Sequence, residues 1–192
     1  MAANNSDRPV PAAKPAPVAA DELREQRESF LARVQAKLHP MDNSVLVVDD
    51  EVPTRHIVAT LIAKASPTIQ VVQAINGRDA LEKLQDIRKR TGRDPLFIVT
   101  DLNMPVMDGW ELLQHLRKEY RKAGETQGIP VVVLSASDGE KRGLFSHKSV
   151  HSQEFYSPLV SVAKEACLDP SRFTAAGEQG LVTWVQHFLK YQ

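Results

Sequence analysis

Residues 44–134 alternate short apolar runs with longer segments whose apolar residues recur every three or four positions. The short runs predict four β-strands, at residues 45–48, 69–74, 96–100 and 129–134. The periodic segments between them predict three amphipathic helices, at residues 54–64, 78–88 and 109–120. Largely apolar strands that are each followed by a helix are typical of a parallel sheet covered by helices on both faces. The pattern therefore predicts an α/β fold.

Two different segments precede this region. Residues 1–20 contain four prolines and little apolar bulk, which predicts a disordered tail. Residues 21–40 begin with acidic side chains, end with basic ones and stop at Pro40, which favours an amphipathic helix. Its apolar stripe consists of Leu23, Phe30, Leu31, Val34 and Leu38. Two destinations for this stripe stay open: the chain's own domain, or a contact with a second copy or another partner.

The pattern weakens after Ser135. Residues 136–152 are polar and have no clear period, which predicts a long loop or a distorted short helix. Farther along, the apolar spacing predicts a helix at residues 154–167, a short strand at 172–175 and a last helix at 181–189.

Composition narrows the class of protein. The 24 basic and 24 acidic residues among 192 leave no net charge, so we expect neither a nucleic acid nor a membrane as partner. No apolar run approaches the roughly 20 residues of a membrane-spanning helix, and the N-terminus lacks the layout of a secretory signal. The single cysteine, Cys167, cannot form an internal disulfide, which is typical of a reducing compartment. We therefore expect a cytoplasmic protein.

Acidic side chains follow two of the predicted strands. Asp49, Asp50 and Glu51 come directly after the first strand, and Asp101 comes directly after the third. Parallel strands bind ligands at their carboxyl ends, so we expect at least three carboxylates to meet at one edge of the sheet. Carboxylates that crowd together repel each other and need a divalent cation or a proton. The sequence therefore indicates a metal-dependent phosphoryl acceptor.

Three segments carry a resemblance to a known family. They read VLVVDDE at residues 45–51, TDLNMPVMDGWELL at 100–113 and VVVLSAS at 131–137. In this order, they resemble the receiver domain of bacterial two-component response regulators. The resemblance implies a flavodoxin-like, doubly wound, five-stranded parallel sheet with helices on both faces, to which this chain adds its N-terminal helix. The receiver domain would span residues 44–192, with an insertion around 138–160.

The resemblance also implies roles for individual residues. Asp101 would be the phosphoryl acceptor, and Mg²⁺ or Mn²⁺ would be held by Asp50, by Asp101 and by the main-chain carbonyl of Asn103. Asp49 would bind the ion through water, and Ser135 would be the switch hydroxyl.

Neighbouring positions follow from the same resemblance. Met104 and Pro105 would shape the loop behind the acceptor. Asp108 would cap the third of the predicted helices between strands, and Gly109 would allow a close turn that a Cβ would hinder.

One family feature is not assigned. The family carries a lysine, usually followed by proline, after its fifth strand, and no lysine after Ser135 precedes a proline here. Arg172 and Lys148 are candidate substitutes for this lysine. Phe173 is the candidate switch aromatic.

The resulting hypothesis is a single-domain response regulator that acts through protein–protein contacts and has no catalytic output domain. Its phosphoryl donor would be a histidine kinase or a phosphotransfer protein, and its downstream protein is unknown, with a homodimer left open. The alternative is a receiver-like adaptor that works without phosphorylation. A phosphohydrolase with an aspartate nucleophile is disfavoured, because such enzymes want a second acid two residues after the nucleophile and residue 103 is asparagine.

Overall fold

The structure is a computed structural model that describes residues 20–39, 42–135, 156 and 159–164. The helices and strands of this part of the chain are α1 (Ala20–Lys37), β1 (Asn43–Val48), α2 (Val52–Ala65), β2 (Ile69–Ala74), α3 (Gly77–Thr91), β3 (Phe97–Asp101), α4 (Gly109–Lys122), β4 (Val131–Ser135) and β5 (Leu159–Ala163). None of the helices in the described ranges is long and apolar enough to cross a membrane.

The strands form one parallel sheet in the order β2-β1-β3-β4-β5. From β1 the chain moves outward to β2 and then crosses back over β1 to reach β3. The strand order therefore reverses between β1 and β3, and doubly wound sheets bind their ligands at such a switch point. The predicted parallel α/β sheet is confirmed.

Each face of the sheet has its own apolar core. Val45, Val47 and Val99 pack on one face with side chains of α1 and α2. Leu46, Val48 and Ile98, which alternate with them along the strands, pack on the other face with α3 and α4. Successive side chains of a strand point to opposite faces, so a strand covered on both sides is apolar at every position. This explains the unbroken apolar runs of β1 and β3.

Helix α1 packs on the chain's own domain. Phe30 and Val34 are fully buried in the core beside α2, and the rings of Phe30 and Phe97 lie 6.2 Å apart between centroids. Arg33 donates a hydrogen bond to the main-chain carbonyl of Gln127, at 3.2 Å. Of the two destinations of the apolar stripe, the structure therefore supports the intramolecular one.

A polar cluster joins three elements near the amino end of β3. Arg88 of α3 and Tyr120 of α4 both bond to Asp94, with donor–acceptor distances of 2.7 and 2.6 Å, and Lys37 of α1 lies 3.4 Å from the same carboxylate. Burial alone would raise the pKa of Asp94, but the hydrogen bonds from Tyr120 and Arg88 outweigh it and hold the pKa below its usual value. The cluster thus ties α1, α3 and α4 together at the end of the sheet opposite the acidic residues.

The prediction for residues 154–167 is wrong. Residues 159–163 form β5, which pairs with β4 from Val131↔Leu159 to Ser135↔Ala163. Their apolar spacing fits a helix as well, but pairing with an open sheet edge overrides such a local preference. The loop predicted at 136–152, the strand at 172–175, the helix at 181–189 and nearly all of the tail lie outside the described residues, as does most of the insertion predicted around 138–160.

The packing of α1 generates a stability prediction. We expect Phe30→Ala to lower the free energy of unfolding by about 3–4 kcal/mol, since it removes a fully buried ring from a filled core. Urea unfolding measures the change. Gln35→Ala, on the exposed side of the same helix, is the matched control and should change the free energy by less than about 0.5 kcal/mol. Equal effects of the two substitutions would show that α1 is not part of the core.

Candidate functional site

Acidic residues meet at the switch point between β1 and β3. Val48, the last residue of β1, pairs with Thr100 of β3. Asp49, the next residue, therefore lies beside Asp101, the last residue of β3. The main-chain N–H of Asp49 donates to the carbonyl of Ala74 at 3.2 Å, which joins this edge to the end of β2. The predicted gathering of carboxylates at one sheet edge is confirmed.

The acidic cluster consists of Asp49, Asp50 and Asp101, whose ligand oxygens lie within 4.8 Å of one another. Asp49 is 0% exposed and Asp101 is 5% exposed, whereas Asp50 faces solvent. Two carboxylates withdrawn from water at this separation repel each other strongly, because the interior screens charge less than water does. The arrangement requires a positive charge nearby.

Lys164 supplies that charge. It follows β5 directly, and its Nζ donates to Asp101 Oδ2 at 2.7 Å and lies 3.2 Å from Asp49 Oδ2 and 3.7 Å from Glu51 Oε2. Its side chain is only 12% exposed. Burial lowers the pKa of Lys164, but the hydrogen bond and attraction to Asp101 and the charge of Asp49 outweigh it and raise the pKa well above the usual value. The ammonium group is therefore charged throughout the physiological range.

Lys164 occupies the place beside Asp101 for which the sequence offered Arg172 and Lys148 as candidates. The family lysine was left unassigned because no lysine after Ser135 precedes a proline, and residue 165, which follows Lys164, is glutamate. Assigning residues 154–167 to a helix also hid the end of β5. The β-branched Val160 and Val162, alternating just before the lysine, were the available signal.

Asp49 differs from Asp101 in how its oxygens are satisfied. Its Oδ1 accepts a hydrogen bond of 2.8 Å from the main-chain N–H of Glu51. Its Oδ2 accepts none from the described part of the chain, although it is buried and close to Lys164. Burial raises the pKa of Asp49, and the Glu51 hydrogen bond and Lys164 only partly oppose this.

These residues fit a divalent cation. All three carboxylates of the cluster offer the hard oxygen ligands that Mg²⁺ prefers. The buried Asp49 Oδ2 has spare capacity as an acceptor, and Asp50 reaches the cluster from the solvent side.

The segment from Leu102 to Asp108, called here the acceptor loop, connects Asp101 to α4. Its base is closed by a hydrogen bond of 3.0 Å from the N–H of Gly109 to the carbonyl of Leu102. A Cβ at Gly109 would lie 2.2 Å from the carbonyl oxygen of Asp101, so only glycine allows this approach. Asp108 caps α4 in a reciprocal capping box with Glu111, as predicted.

Val106, at the tip of the acceptor loop, has an unusual backbone. Its φ is +71°, and the N–H of Met107 donates to the carbonyl of Pro105 at 2.9 Å, which makes a γ-turn around Val106. A β-branched residue rarely adopts a positive φ, because its side chain crowds the backbone. The Val106 side chain is 80% exposed, so packing of that side chain does not compensate the strain.

The remaining predicted residues have different outcomes. Ser135 ends β4, one position beyond the pair Asp101↔Leu134, at the same carboxyl edge as the acidic cluster. Asn103 lies in the acceptor loop and is exposed. Phe173, Arg172 and Lys148 lie outside the described residues.

The chain is a doubly wound parallel α/β protein with a carboxylate cluster at its switch point, which is the position where such sheets bind their ligands. The model of the response regulator receiver domain family matches residues 45–146, more than half of the chain. The chain belongs to the response regulator receiver domain family.

Curated relatives match over the same region. The chain is similar to the protein-glutamate methylesterase/protein-glutamine glutaminase of Treponema denticola, with 39% identity over 103 residues that cover 52% of this chain and 24% of that protein. It is 35% identical over 92 residues to a probable transcriptional regulator, ycf27, of Cyanophora paradoxa, which covers 48% of this chain and 32% of that protein. The match spans less than a third of the length of either relative.

Solved structures agree on the fold. The bacteriophytochrome response regulator AtBRR has a TM-score of 0.50 and 27% identity, covering 64% of this chain and 83% of that chain. The phosphorylated cyanobacterial phytochrome response regulator RcpA also has a TM-score of 0.50, at 21% identity, covering 78% of this chain and 93% of that chain.

The raised pKa of Asp49 generates a pH prediction for the metal-free protein. The folded state binds this proton more readily than the unfolded chain does, so the group lowers the free energy of unfolding as pH rises from 3.8 through the raised pKa. Asp49→Asn removes this titration and keeps an oxygen for the Glu51 N–H. In the presence of a chelator, we expect the variant to be more stable than wild type at neutral pH, with an advantage that shrinks toward about pH 4.

Urea unfolding across this pH range measures the difference for Asp49. Asp86→Asn, whose side chain is 70% exposed on α3, is the matched control and should follow wild type throughout. A difference between Asp49→Asn and wild type that does not vary with pH would contradict the prediction.

The strain at Val106 generates a second prediction. We expect Val106→Gly to raise the free energy of unfolding by about 1 kcal/mol, because relief of a strained φ exceeds the entropy of the added glycine. Thermal unfolding measures the change. Val52→Gly, at an exposed valine that begins α2, is the control and should destabilise by about 1 kcal/mol. Loss of stability in both variants would show that Val106 is not strained.

Proposed function

We propose that this chain is a phosphoryl-accepting signalling switch in which Asp101 is the acceptor. The observation that carries the proposal is the setting of the Asp101 carboxylate, buried at the end of β3 with Asp49, Asp50 and Lys164 around it. Membership of the receiver domain family supports the same role.

The proposed reaction transfers one phosphoryl group. A carboxylate oxygen of Asp101 forms a bond to phosphorus, while the P–N bond of a phosphohistidine or the P–O bond of an acyl phosphate breaks and its electron pair leaves with the donor. Asp50, Asp101 and the Asn103 main-chain carbonyl would hold Mg²⁺ or Mn²⁺ directly, and Asp49 would hold it through water. The bound ion supplies neutralisation of the charge that gathers on the phosphoryl oxygens.

In the proposed switch, Lys164 pairs with the acceptor site both before and after phosphoryl transfer. Before transfer its ammonium group pairs with Asp101 at 2.7 Å. After transfer the same carboxylate carries a phosphoryl group with more negative charge, and Lys164 is the nearest cation among the described residues to pair with it. The residue that neutralises the empty acceptor would thus move to the phosphoryl oxygens.

Readout of phosphorylation would use neighbouring positions. Ser135 ends the strand beside β3, so its hydroxyl is the proposed donor to a phosphoryl oxygen. Phe173 remains the proposed switch aromatic. The proposed phosphoryl donor is a histidine kinase or a phosphotransfer protein, and a cytoplasmic location fits the single cysteine. The output would pass through contact with a downstream protein or with a second copy of the chain.

A phosphorylation assay tests the proposal. We expect wild type, incubated with Mg²⁺ and a small acyl phosphate, to gain the mass of one phosphoryl group in intact-protein mass spectrometry. Asp101→Asn should show no gain, because an amide is not a nucleophile for phosphorus. Asp50→Asn should show a greatly reduced gain through loss of a metal ligand.

Asp86→Asn is the control for this assay, since it removes an exposed carboxylate far along α3 and should be phosphorylated as wild type is. Absence of a mass gain in wild type would overturn the proposal and favour an adaptor that works without phosphorylation. A gain that survives in Asp101→Asn would place the acceptor elsewhere.

A further inference from the structure

Gly77 contacts the acceptor loop from a different part of the fold. It begins α3, is buried, and donates its main-chain N–H to the carbonyl of Met107 at 2.9 Å. The first N–H groups of a helix have no partner within the helix. Met107 therefore satisfies one of these groups in α3, and α3 in turn holds the loop that follows Asp101.

Residue 77 is a glycine because there is no room for a Cβ beside Met107. Its φ is outside the left-handed region, since Gly92 and Gly124 are the described glycines with positive φ. Alanine would therefore fit the backbone and favour the helix. However, a Cβ at Gly77 would lie 2.6 Å from Met107 Cγ and 3.0 Å from both Met107 Sδ and the Met107 carbonyl oxygen. Met107 is itself only 6% exposed and has little room to withdraw.

Met107 is a suitable point from which to fix the loop. Its N–H closes the strained γ-turn around Val106, and its carbonyl receives the bond from Gly77. The other end of the loop is held at Leu102 by Gly109. Asn103 lies between these two fixed points, so the path of the chain at Asn103 depends on both.

We propose that Gly77 is a positioning residue for the acceptor loop. Because Gly77 has no Cβ, the start of α3 can approach Met107 closely enough to hydrogen-bond its carbonyl, and this contact fixes the backbone position of Asn103. The consequence for magnesium binding rests on the proposed function. The consequence for the loop itself does not.

Gly77→Ala tests the proposal with two measurements. In metal-free protein, we expect weaker protection from amide hydrogen exchange at residue 77, because its N–H loses the carbonyl of Met107 as acceptor, and at Met107, because the γ-turn that its N–H closes is no longer held by that bond. In a Mg²⁺ titration followed by the fluorescence of Trp110, we expect an affinity about tenfold weaker than wild type, as for other residues that orient a metal ligand.

Gly92→Ala is the matched control. Gly92 ends the same helix at φ +69°, and a Cβ there meets no described atom within 4 Å. This variant should lower Tm through backbone strain and leave both the exchange at Met107 and the magnesium affinity unchanged. Unchanged exchange and affinity in Gly77→Ala would overturn the proposal, as would an equal loss in Gly92→Ala.

A second substitution tests the cause. Met107→Ala removes Cγ and Sδ, the side-chain atoms that a Cβ at Gly77 would strike. The double variant Gly77→Ala/Met107→Ala should therefore bind Mg²⁺ nearly as tightly as Met107→Ala alone. If Gly77→Ala does not fold, the proposal is tested by comparing these two variants. A double variant as weak as Gly77→Ala would overturn the proposal. If wild type binds no Mg²⁺, the proposed function fails, while hydrogen exchange still decides the role of Gly77.

Discussion

Two carboxylates withdrawn from water at one sheet edge are the constraint on which the rest of this structure depends. Asp49 and Asp101 are held there by strands that are buried on both faces, and their oxygens lie close to each other and to Asp50. A buried charge without a partner would destabilise the fold by several kcal/mol. The ammonium group of Lys164 lies 3.2 Å from Asp49 and opposes this penalty, while burial still raises the pKa of Asp49. A cation bound beside these carboxylates would oppose it further.

The surrounding fold keeps this edge rigid. Helices α1 and α2 cover one face and α3 and α4 the other, so the strands cannot shift without opening a core. Near the amino end of β3, Asp94 ties α1, α3 and α4 together. At the carboxyl end the acceptor loop is the irregular part, and it is fastened at Leu102 and Met107. The strain at Val106 is therefore stored beside the acceptor, where backbone strain is often related to function.

The local sequence pattern was sufficient to predict an element or a site wherever only one structure explains the residues at those positions. Apolar runs followed by helical periods predicted four strands and the helices after three of them, because burial on both faces demands such runs. Asp49, Asp50 and Asp101 were predicted to meet because carboxyl ends of parallel strands share an edge. Residues 159–163 were misassigned because five apolar or small residues fit a helix and a strand equally well. Pairing with β4 decides between them, and it lies outside any local window.

By itself, then, the sequence determined the parallel α/β architecture and the acidic cluster, since both follow from spacing along the chain, and the choice of Asp101 as acceptor candidate came from the resemblance to a family. Only the tertiary structure decided that Lys164 is the partner of Asp101, that α1 packs on its own domain, and that Gly77 meets Met107. These contacts join residues far apart in sequence. Their distances depend on how strands and helices pack together, and periodicity indicates which side chains are buried but not which partners they meet.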